Sequence, residues 1–273
     1  MKNKDEIEAI KTRVAWAGWD DHKFCGHWAF AELAGKESYT GLLALAITGR
    51  RLPRDHCTML DDLAGAMTVA EPRIWGPKAA RLAAAFGGTL SACCAANLCL
   101  EGSVVGPWTT KHAARNLLAL RSSLEGRLSD PEAVTRETLA LLTAQKRLVG
   151  YGVPFRPYDE RLRALARCVE MRGRDRLPFW TLQVAMSDVL RREKGLEPNI
   201  GIGTAAVCLD LGLSPDEIAP LAVALNQHLI YANAVEGARQ APAVLRHLPD
   251  DSIDYVGRSP RKSARAEKEP HAT

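Results

Sequence analysis

Apolar residues recur at helical spacing along most of this chain, and that periodicity limits the possible folds more than any other feature. Leu162, Leu165, Ala166 and Val169 fall at positions i, i+3, i+4 and i+7, as on one face of an α-helix. The segment that follows repeats the spacing and stops at Gly195. Alternation with a period of two, which is typical of half-buried strands, is hard to find. The sequence therefore predicts an all-α fold.

Helix start signals divide this pattern into elements. Asp130 precedes a proline at the start of an apolar-periodic segment, and Asp159 is placed to cap the helix that contains Leu162. Ser214 with Pro215 begins another apolar stretch. That stretch contains no clear stop signal, so we predict one long helix from Ser214 to about residue 238.

The segment 79–100, AARLAAAFGGTLSACCAANLCL, consists mainly of small residues. Arg81 and Asn97 interrupt it, which disfavours a membrane span. Small side chains let helix backbones approach closely but bury little area each, so such a helix needs neighbours on every side. A second subunit would supply them in a homodimer, and other helices of the same chain would supply them otherwise. Both alternatives stay open at this point.

The composition is that of a globular protein, with 47% hydrophobic and 25% charged residues. The net charge of +4 comes largely from residues 258–273, RSPRKSARAEKEPHAT, which we predict to be a disordered basic tail. The rest of the chain is close to neutral, so neither nucleic acid nor a membrane is expected as a partner.

The seven cysteines are an odd number and mostly lie within apolar helical patterns, without a C-x-x-C pair. They are interpreted as buried thiols of a protein in the reducing cytoplasm. The N-terminal residues contain no apolar stretch of the kind found in signal peptides. His22 and His27 near the N-terminal aspartates are too loosely spaced to predict a metal site.

The loop GYGVPFRPYDER, residues 150–161, combines glycines, prolines and arginines immediately before a predicted helix. A helix start attracts anions, and arginine offers a bidentate fork to carboxylate or phosphate. Arg156 and Arg161 are therefore candidate anion-binding residues. The alternative is a rigid turn in which both arginines are solvated or paired with Asp159 and Glu160.

Two further loops precede predicted helices. In GSVVGPWTTKHAARNLL, residues 102–118, Thr109 or Thr110 is the expected N-cap, and His112 is either a surface residue or a proton-transfer group. In EPNIGIGTAAVCLDLG, residues 197–212, the glycines do not follow a predicted strand, so a dinucleotide-binding fingerprint is rejected.

The order and spacing of these loops resemble the citrate synthase superfamily, in particular its short citryl-CoA lyase-like branch. The family has an LHGG loop, a GxGH…DPR loop, a PN-[IV]-D segment and a final YVG. The counterparts here are SVVGPW, GYGVPFRPYDER, PNIG and LPDDSIDYVG. The resemblance extends over nearly the whole chain up to about residue 260.

The resemblance implies an all-α homodimer whose active cleft lies between two lobes. The large lobe would comprise residues 1–149 and 198–257, and the small lobe residues 150–197. The expected ligands are a carboxylic or keto acid and a coenzyme A thioester as substrate, with no resident cofactor. The residues that would contact substrate are Arg161, Arg156, Asn199, Trp75, Trp108, Thr109, Val105, Val153 and Phe155.

The catalytic residues of the family are missing here. Its two histidines would fall at Val105 and Val153, and its aspartate at Gly201. A general base contributes about 10²–10⁴-fold to a rate and a preorganised hydrogen-bond donor about 10²–10³-fold. The ordinary citrate synthase reaction is therefore not expected. Lys78, if desolvated, and His112 are the candidate replacements as base.

Two hypotheses about function follow. One is an enzyme of specialised metabolism that makes, breaks or rearranges C–C bonds in a less polar carboxylate or carbonyl substrate. The other is a non-catalytic protein that binds an acyl-CoA or organic acid, or a partner subunit of an active homologue.

Overall fold

The structure, a computed structural model, describes residues 10–69, 71–100, 106–153, 156–240, 254, 256 and 257. Within these residues the chain forms eleven α-helices and three very short strands, which confirms the predicted all-α class. Val105, Phe155 and the predicted basic tail lie outside the described residues. The α-helices are α1 (Tyr39–Thr48), α2 (Arg54–Ala66), α3 (Trp75–Ala84), α4 (Thr89–Leu100), α5 (Pro107–Leu124), α6 (Pro131–Gln145), α7 (Glu160–Met171), α8 (Pro178–Lys194), α9 (Ile200–Asp210), α10 (Pro215–Leu225) and α11 (Gln227–Gly237).

A small sheet near the N-terminus departs from the helical pattern. Strands β1 (Ala15–Ala17), β2 (His22–Phe24) and β3 (His27–Trp28) pair antiparallel in that order, and a π-helical turn, Ala29–Leu33, follows them. The Asp21 carboxylate accepts hydrogen bonds from the backbone of that turn. Strands of two or three residues are too short to produce a visible alternation, so the sequence pattern does not predict them.

Helix starts agree with the sequence signals better than helix ends do. Asp130 caps α6 and Asp159 caps α7, as predicted. Ser214 begins α10 with a capping box. The prediction of one long helix from Ser214 is wrong, because α10 ends at Leu225 and α11 begins at Gln227. The Asn226 side chain donates to the Ala222 carbonyl oxygen at 2.7 Å and so competes with the helical backbone bonds at this point.

The main hydrophobic core joins α2, α5, α7, α8, α9 and α10. Leu60, Leu117, Leu165, Met186 and Ile202 are all fully buried in it. Helices α7 and α8, which belong to the predicted small lobe, contribute to the same core as the helices around them. The division into two lobes stays a prediction.

A second, smaller cluster joins α3, α4 and α11 through alanines and other small residues, as expected for the segment 79–100. Helix α4 is packed on one face only, and its other face exposes Leu90 and Leu98. The interpretation of the cysteines as buried thiols is wrong for Cys94 and Cys99, which are exposed on this helix. No helix within the described residues is both long and apolar enough to cross a membrane.

Candidate functional site

The predicted anion-binding loop lies directly against the segment that contains Asn199. The Gly152 amide donates to the Glu197 carbonyl oxygen at 2.7 Å, and the Asn199 amide donates to the Gly150 carbonyl oxygen at 2.9 Å. The Asn199 side-chain amide then donates to the Gly152 carbonyl oxygen at 3.0 Å. Two loops that are nearly 50 residues apart in sequence are thereby fixed to each other, which the resemblance predicts.

Gly150 is required at this junction for two reasons. Its φ of +91° lies in the region that other residues rarely adopt. A Cβ placed on it would also lie 2.9 Å from the Cβ of Ile202 in α9. The loop can therefore approach α9 this closely only because residue 150 has no side chain.

Asp159 holds the same junction together from inside. Its carboxylate is buried, with the residue only 3% exposed. One oxygen accepts from the Arg161 amide at 2.9 Å, which caps α7, and the other accepts from the Ile200 amide at 2.9 Å, at the start of α9. The sequence predicts the cap but not the contact with Ile200, because the two residues are 41 positions apart.

The Arg161 side chain completes this arrangement. Its Nε donates to Asp159 at 3.0 Å and its Nη2 at 2.7 Å, as a bidentate pair. Burial by itself raises the pKa of Asp159, but the hydrogen bonds and charge of Arg161, with the two backbone amides, outweigh it and hold that pKa below its ordinary value. Asp159 is therefore a structural carboxylate that stays ionised, and it is unsuited to act as a base.

The pair leaves part of Arg161 free. Its Nη1 has no hydrogen-bond partner among the described residues, and the side chain is 34% exposed. A guanidinium held on one edge and open on the other is a preorganised donor for a carboxylate.

Arg156 is more exposed and forms an ion pair with Glu160. This is the paired state that the sequence leaves open as an alternative. The Arg156 charge also reaches Glu71, just before α3: Arg73 is the main cause of the lowered pKa of Glu71, and Arg156 adds to it. Arg156 therefore lies between the start of α7 and the segment that leads into α3.

The starts of α3 and α5 meet around Leu100. A Cβ on Gly76 would lie 3.4 Å from the Leu100 side chain, and one on Gly106 would lie 2.9 Å from the Leu100 carbonyl oxygen. This convergence brings the helix starts that carry Trp75 and Trp108 into one neighbourhood. Both tryptophans are substantially exposed, at 56% and 38%, so neither is a core aromatic in this chain.

The predicted N-cap of α5 is wrong. The helix begins at Pro107 with Gly106 as its cap, and Gly106 has a φ of +74°. Proline at the first helical position has a suitable fixed φ and needs no amide partner, which moves the start ahead of the threonines. The Thr109 hydroxyl donates to the Gly106 carbonyl oxygen at 2.6 Å, and Thr110 is buried.

His112 lies one turn after Trp108, and their rings are in contact, with centroids 4.0 Å apart. Partial burial lowers the pKa of His112, and the charges of Arg115 and Lys111 lower it further. Those two cations are themselves paired with Asp216 at the start of α10. His112 is therefore a neutral imidazole at pH 7, which is the form able to accept a proton.

The other candidate residues have less distinctive surroundings. Lys78 is exposed on the first turn of α3, so the described part of the chain does not provide the desolvation that a lysine base requires. Val153 is partly buried beside the junction. Val105, Pro154 and Phe155 lie outside the described residues.

Two hollows in the described part of the chain lie elsewhere. One, of about 10 Å³, is enclosed by core residues that include Met59 and Trp180. The other, of about 480 Å³, is an open depression on the N-terminal sheet lined by Trp16, Trp19 and Trp28. Neither is lined by the predicted site residues, so the candidate site is a convergence of helix starts and loops at the surface.

Comparison with known proteins identifies the fold. No family model and no curated protein matches the sequence. Among solved structures, citryl-CoA lyase from Hydrogenobacter thermophilus superposes with a TM-score of 0.76 at 18% identity, over 96% of this chain and 100% of that one. ATP citrate lyase from Methanothrix soehngenii, in complex with citrate and coenzyme A, gives 0.73 at 17% identity, over 93% of this chain and 42% of that one.

Citrate synthase from Thermoplasma acidophilum, in a ternary complex, gives a TM-score of 0.62 at 19% identity, over 83% of this chain and 58% of that one. The chain thus matches the whole of a citryl-CoA lyase but only part of the two longer enzymes. It has the citrate synthase-like fold in its short, citryl-CoA lyase-like form. The resemblance predicted from the order of the loops is confirmed at the level of the fold.

Proposed function

We propose that this protein binds an organic acid, free or as its coenzyme A thioester, where loop 150–161, Asn199 and the starts of α3 and α5 converge. The observation that carries the proposal is the state of Arg161, which Asp159 fixes on one edge while Nη1 is left open. The citrate and coenzyme A in the ATP citrate lyase structure of the same fold support this choice of ligand class.

The arginine pairing suggests how the ligand is selected. Because Asp159 compensates the Arg161 charge, that guanidinium supplies a directed hydrogen bond more than a net attraction. Arg156 adds a cation at the surface, although Glu160 compensates it in part. A ligand with one carboxylate for Arg161 and a largely apolar body fits this arrangement better than a small, highly charged acid.

We further propose that the protein acts on a C–C bond of its ligand, with His112 as the proton-transfer group. In the cleavage direction a base takes the proton of a hydroxyl group, the adjacent C–C bond breaks to leave a carbonyl, and the resulting enolate takes up a proton. His112 is neutral and in contact with Trp108, so it can accept a proton at pH 7. Lys78 is the weaker candidate because it is exposed.

A non-catalytic ligand-binding protein is the second candidate. The ion pairs made by Arg156 and Arg161 favour it, because both arginines already stabilise the folded chain. On this hypothesis His112 is only a partly buried residue packed on Trp108, and its replacement changes no chemical step.

The small-residue helix α4 supports a homodimer as the working assembly. Its exposed apolar face lies on the outside of the second cluster, where another subunit can cover it. We adopt a homodimer as part of the proposal.

Calorimetric titration with citrate, coenzyme A and acetyl-CoA tests the binding site. We expect the Arg161→Gln variant to bind at least about 10-fold more weakly than the wild type, as loss of a charge-assisted hydrogen bond implies. Arg167→Gln, on the exposed side of the same helix, is the matched control and should bind normally. Equal binding by both variants would contradict the site.

The His112→Gln variant separates the two functions. If the protein is an enzyme, the variant should bind ligand normally but lose about 10²-fold or more of the rate at which ligand is cleaved or condensed, followed by mass spectrometry. Turnover that is unaffected by the substitution would remove His112 from the mechanism. Wild-type protein that binds a ligand but never converts it would favour the non-catalytic alternative.

A further inference from the structure

Helix α4 presents an apolar face to solvent. Leu90 is 76% exposed, Leu98 is 70% exposed, and Cys94 between them is exposed as well. The opposite face packs into the second cluster through Ala92 and Ala96. The helix contains no charged residue, so nothing on it opposes the close approach of an identical helix.

The exposed stripe is symmetric about Cys94. Leucines stand four residues before and four residues after it, and the polar residues Ser91 and Asn97 stand three before and three after. A two-fold interface is self-complementary, since the same patch meets itself in the opposite direction. An antiparallel pair of α4 helices with its axis at Cys94 places Leu90 against Leu98 of the second copy.

The surface available is sufficient for a stable dimer. The exposed parts of the large apolar side chains on this cluster amount to roughly 700 Å² per chain, close to the about 800 Å² per partner of a standard interface. These side chains are Leu82, Phe86, Leu90, Leu98, Tyr231 and Val235.

We propose that α4 packs antiparallel against α4 of a second copy, with the two-fold axis passing at Cys94 so that the two Cys94 thiols face each other. This inference rests on the homodimer proposed above and adds its register. The small residues beside the stripe, Ser91 and Ala95, allow the two backbones to approach closely.

The register can be measured because a helix rises about 1.5 Å per residue. The two Cys94 residues would lie at the same level along the pair. The two Leu90 residues would be offset by about 12 Å, and the two Cys99 residues by about 15 Å. A disulfide requires Cα atoms within about 7 Å of each other, so Cys94 can pair with its counterpart and Cys99 cannot.

Crosslinking of the full chain tests the register, with copper phenanthroline and oxygen as the oxidant. The Cys99→Ser variant, which keeps Cys94, should form a covalent dimer on a non-reducing gel. The Cys94→Ser variant, which keeps the equally exposed Cys99, should not. In a Cys94→Ser, Cys99→Ser background, Leu90→Cys combined with Leu98→Cys should crosslink, whereas each of these two substitutions alone should not.

The mass of the protein in solution, measured by light scattering, separates this register from the homodimer itself. A dimeric mass with crosslinking through Cys99, or with none in the Leu90→Cys, Leu98→Cys protein, would overturn the register and leave the homodimer standing. A monomeric mass at all concentrations tested would overturn both.

Discussion

Replacing Asp159 tests the junction between the two loops most strongly, because this one carboxylate makes three kinds of contact. It caps α7, it accepts from the Ile200 amide of α9, and it pairs with Arg161. Asp159→Ala removes all three at once and leaves a buried amide without its acceptor.

The expected cost follows from these contacts. Loss of the cap costs about 1 kcal/mol. Leaving the Ile200 amide unsatisfied costs about 1–3 kcal/mol. The Arg161 pair is discounted to at most about 1 kcal/mol, because that side chain is one-third exposed. We expect Asp159→Ala to lower the free energy of unfolding by about 3 kcal/mol, or the melting temperature by roughly 6–12 °C.

Urea unfolding followed by far-ultraviolet circular dichroism measures this loss. Asp130→Ala is the matched control, because Asp130 caps α6 in the same way without an ion pair or a contact with another loop, so it should cost only about 1 kcal/mol. The reasoning is refuted if the two substitutions destabilise the protein equally.

The pH dependence of the same variant has a defined sign. The folded-state pKa of Asp159 lies below its unfolded value, so the carboxylate contributes fully above an unfolded pKa of about 3.9. Its contribution is lost as the pH falls through the lower folded value. The stability difference between the wild type and Asp159→Ala should therefore be constant above about pH 5 and shrink in acid.

Three further predictions concern the site and the core. Gly150→Ala should destabilise the protein by about 2 kcal/mol or more in urea unfolding, and by more than Gly152→Ala, because both glycines have a positive φ but only the first faces a steric clash. Equal losses would contradict the close approach to α9. The NMR titration midpoint of His112 should lie below about 6.5 and rise in Trp108→Ala, since burial is its main cause; an unchanged midpoint would contradict that cause. Cys208, whose pKa burial raises to about 12, should resist iodoacetamide at pH 8 until urea unfolds the chain; rapid labelling of the native protein would show that it is not buried.

The features that the sequence predicts correctly depend on nearby residues. Helical periodicity, the caps at Asp130 and Asp159 and the start at Ser214 are all decided within one or two helical turns. The errors also have local causes, where one side chain or proline outweighs a general pattern. Asn226 divides the predicted long helix, and Pro107 moves the start of α5 ahead of the threonines.

The candidate site is predicted only in part, because its main contacts join distant segments. Loop order indicates that the 150–161 loop and Asn199 belong together, and the structure fixes them to each other. The contact of Asp159 with Ile200 and the effect of Arg156 on Glu71 have no sequence signal, since they depend on how α7, α9 and α3 pack.

The partners of the arginines were foreseen only as an alternative. An acidic residue beside an arginine in sequence is compatible with solvation, ligand binding or pairing, and burial decides among them. Asp159 is buried and therefore holds Arg161, whereas Glu160 pairs with Arg156 at the surface.

A crystal structure of the protein with citrate and coenzyme A tests the central proposal most directly. We expect a ligand carboxylate within hydrogen-bonding distance of Arg161 Nη1, with the Asp159 pair intact and the ligand body toward the starts of α3 and α5. A ligand bound at a site that excludes Arg161, with the junction unchanged and open, would contradict the proposal.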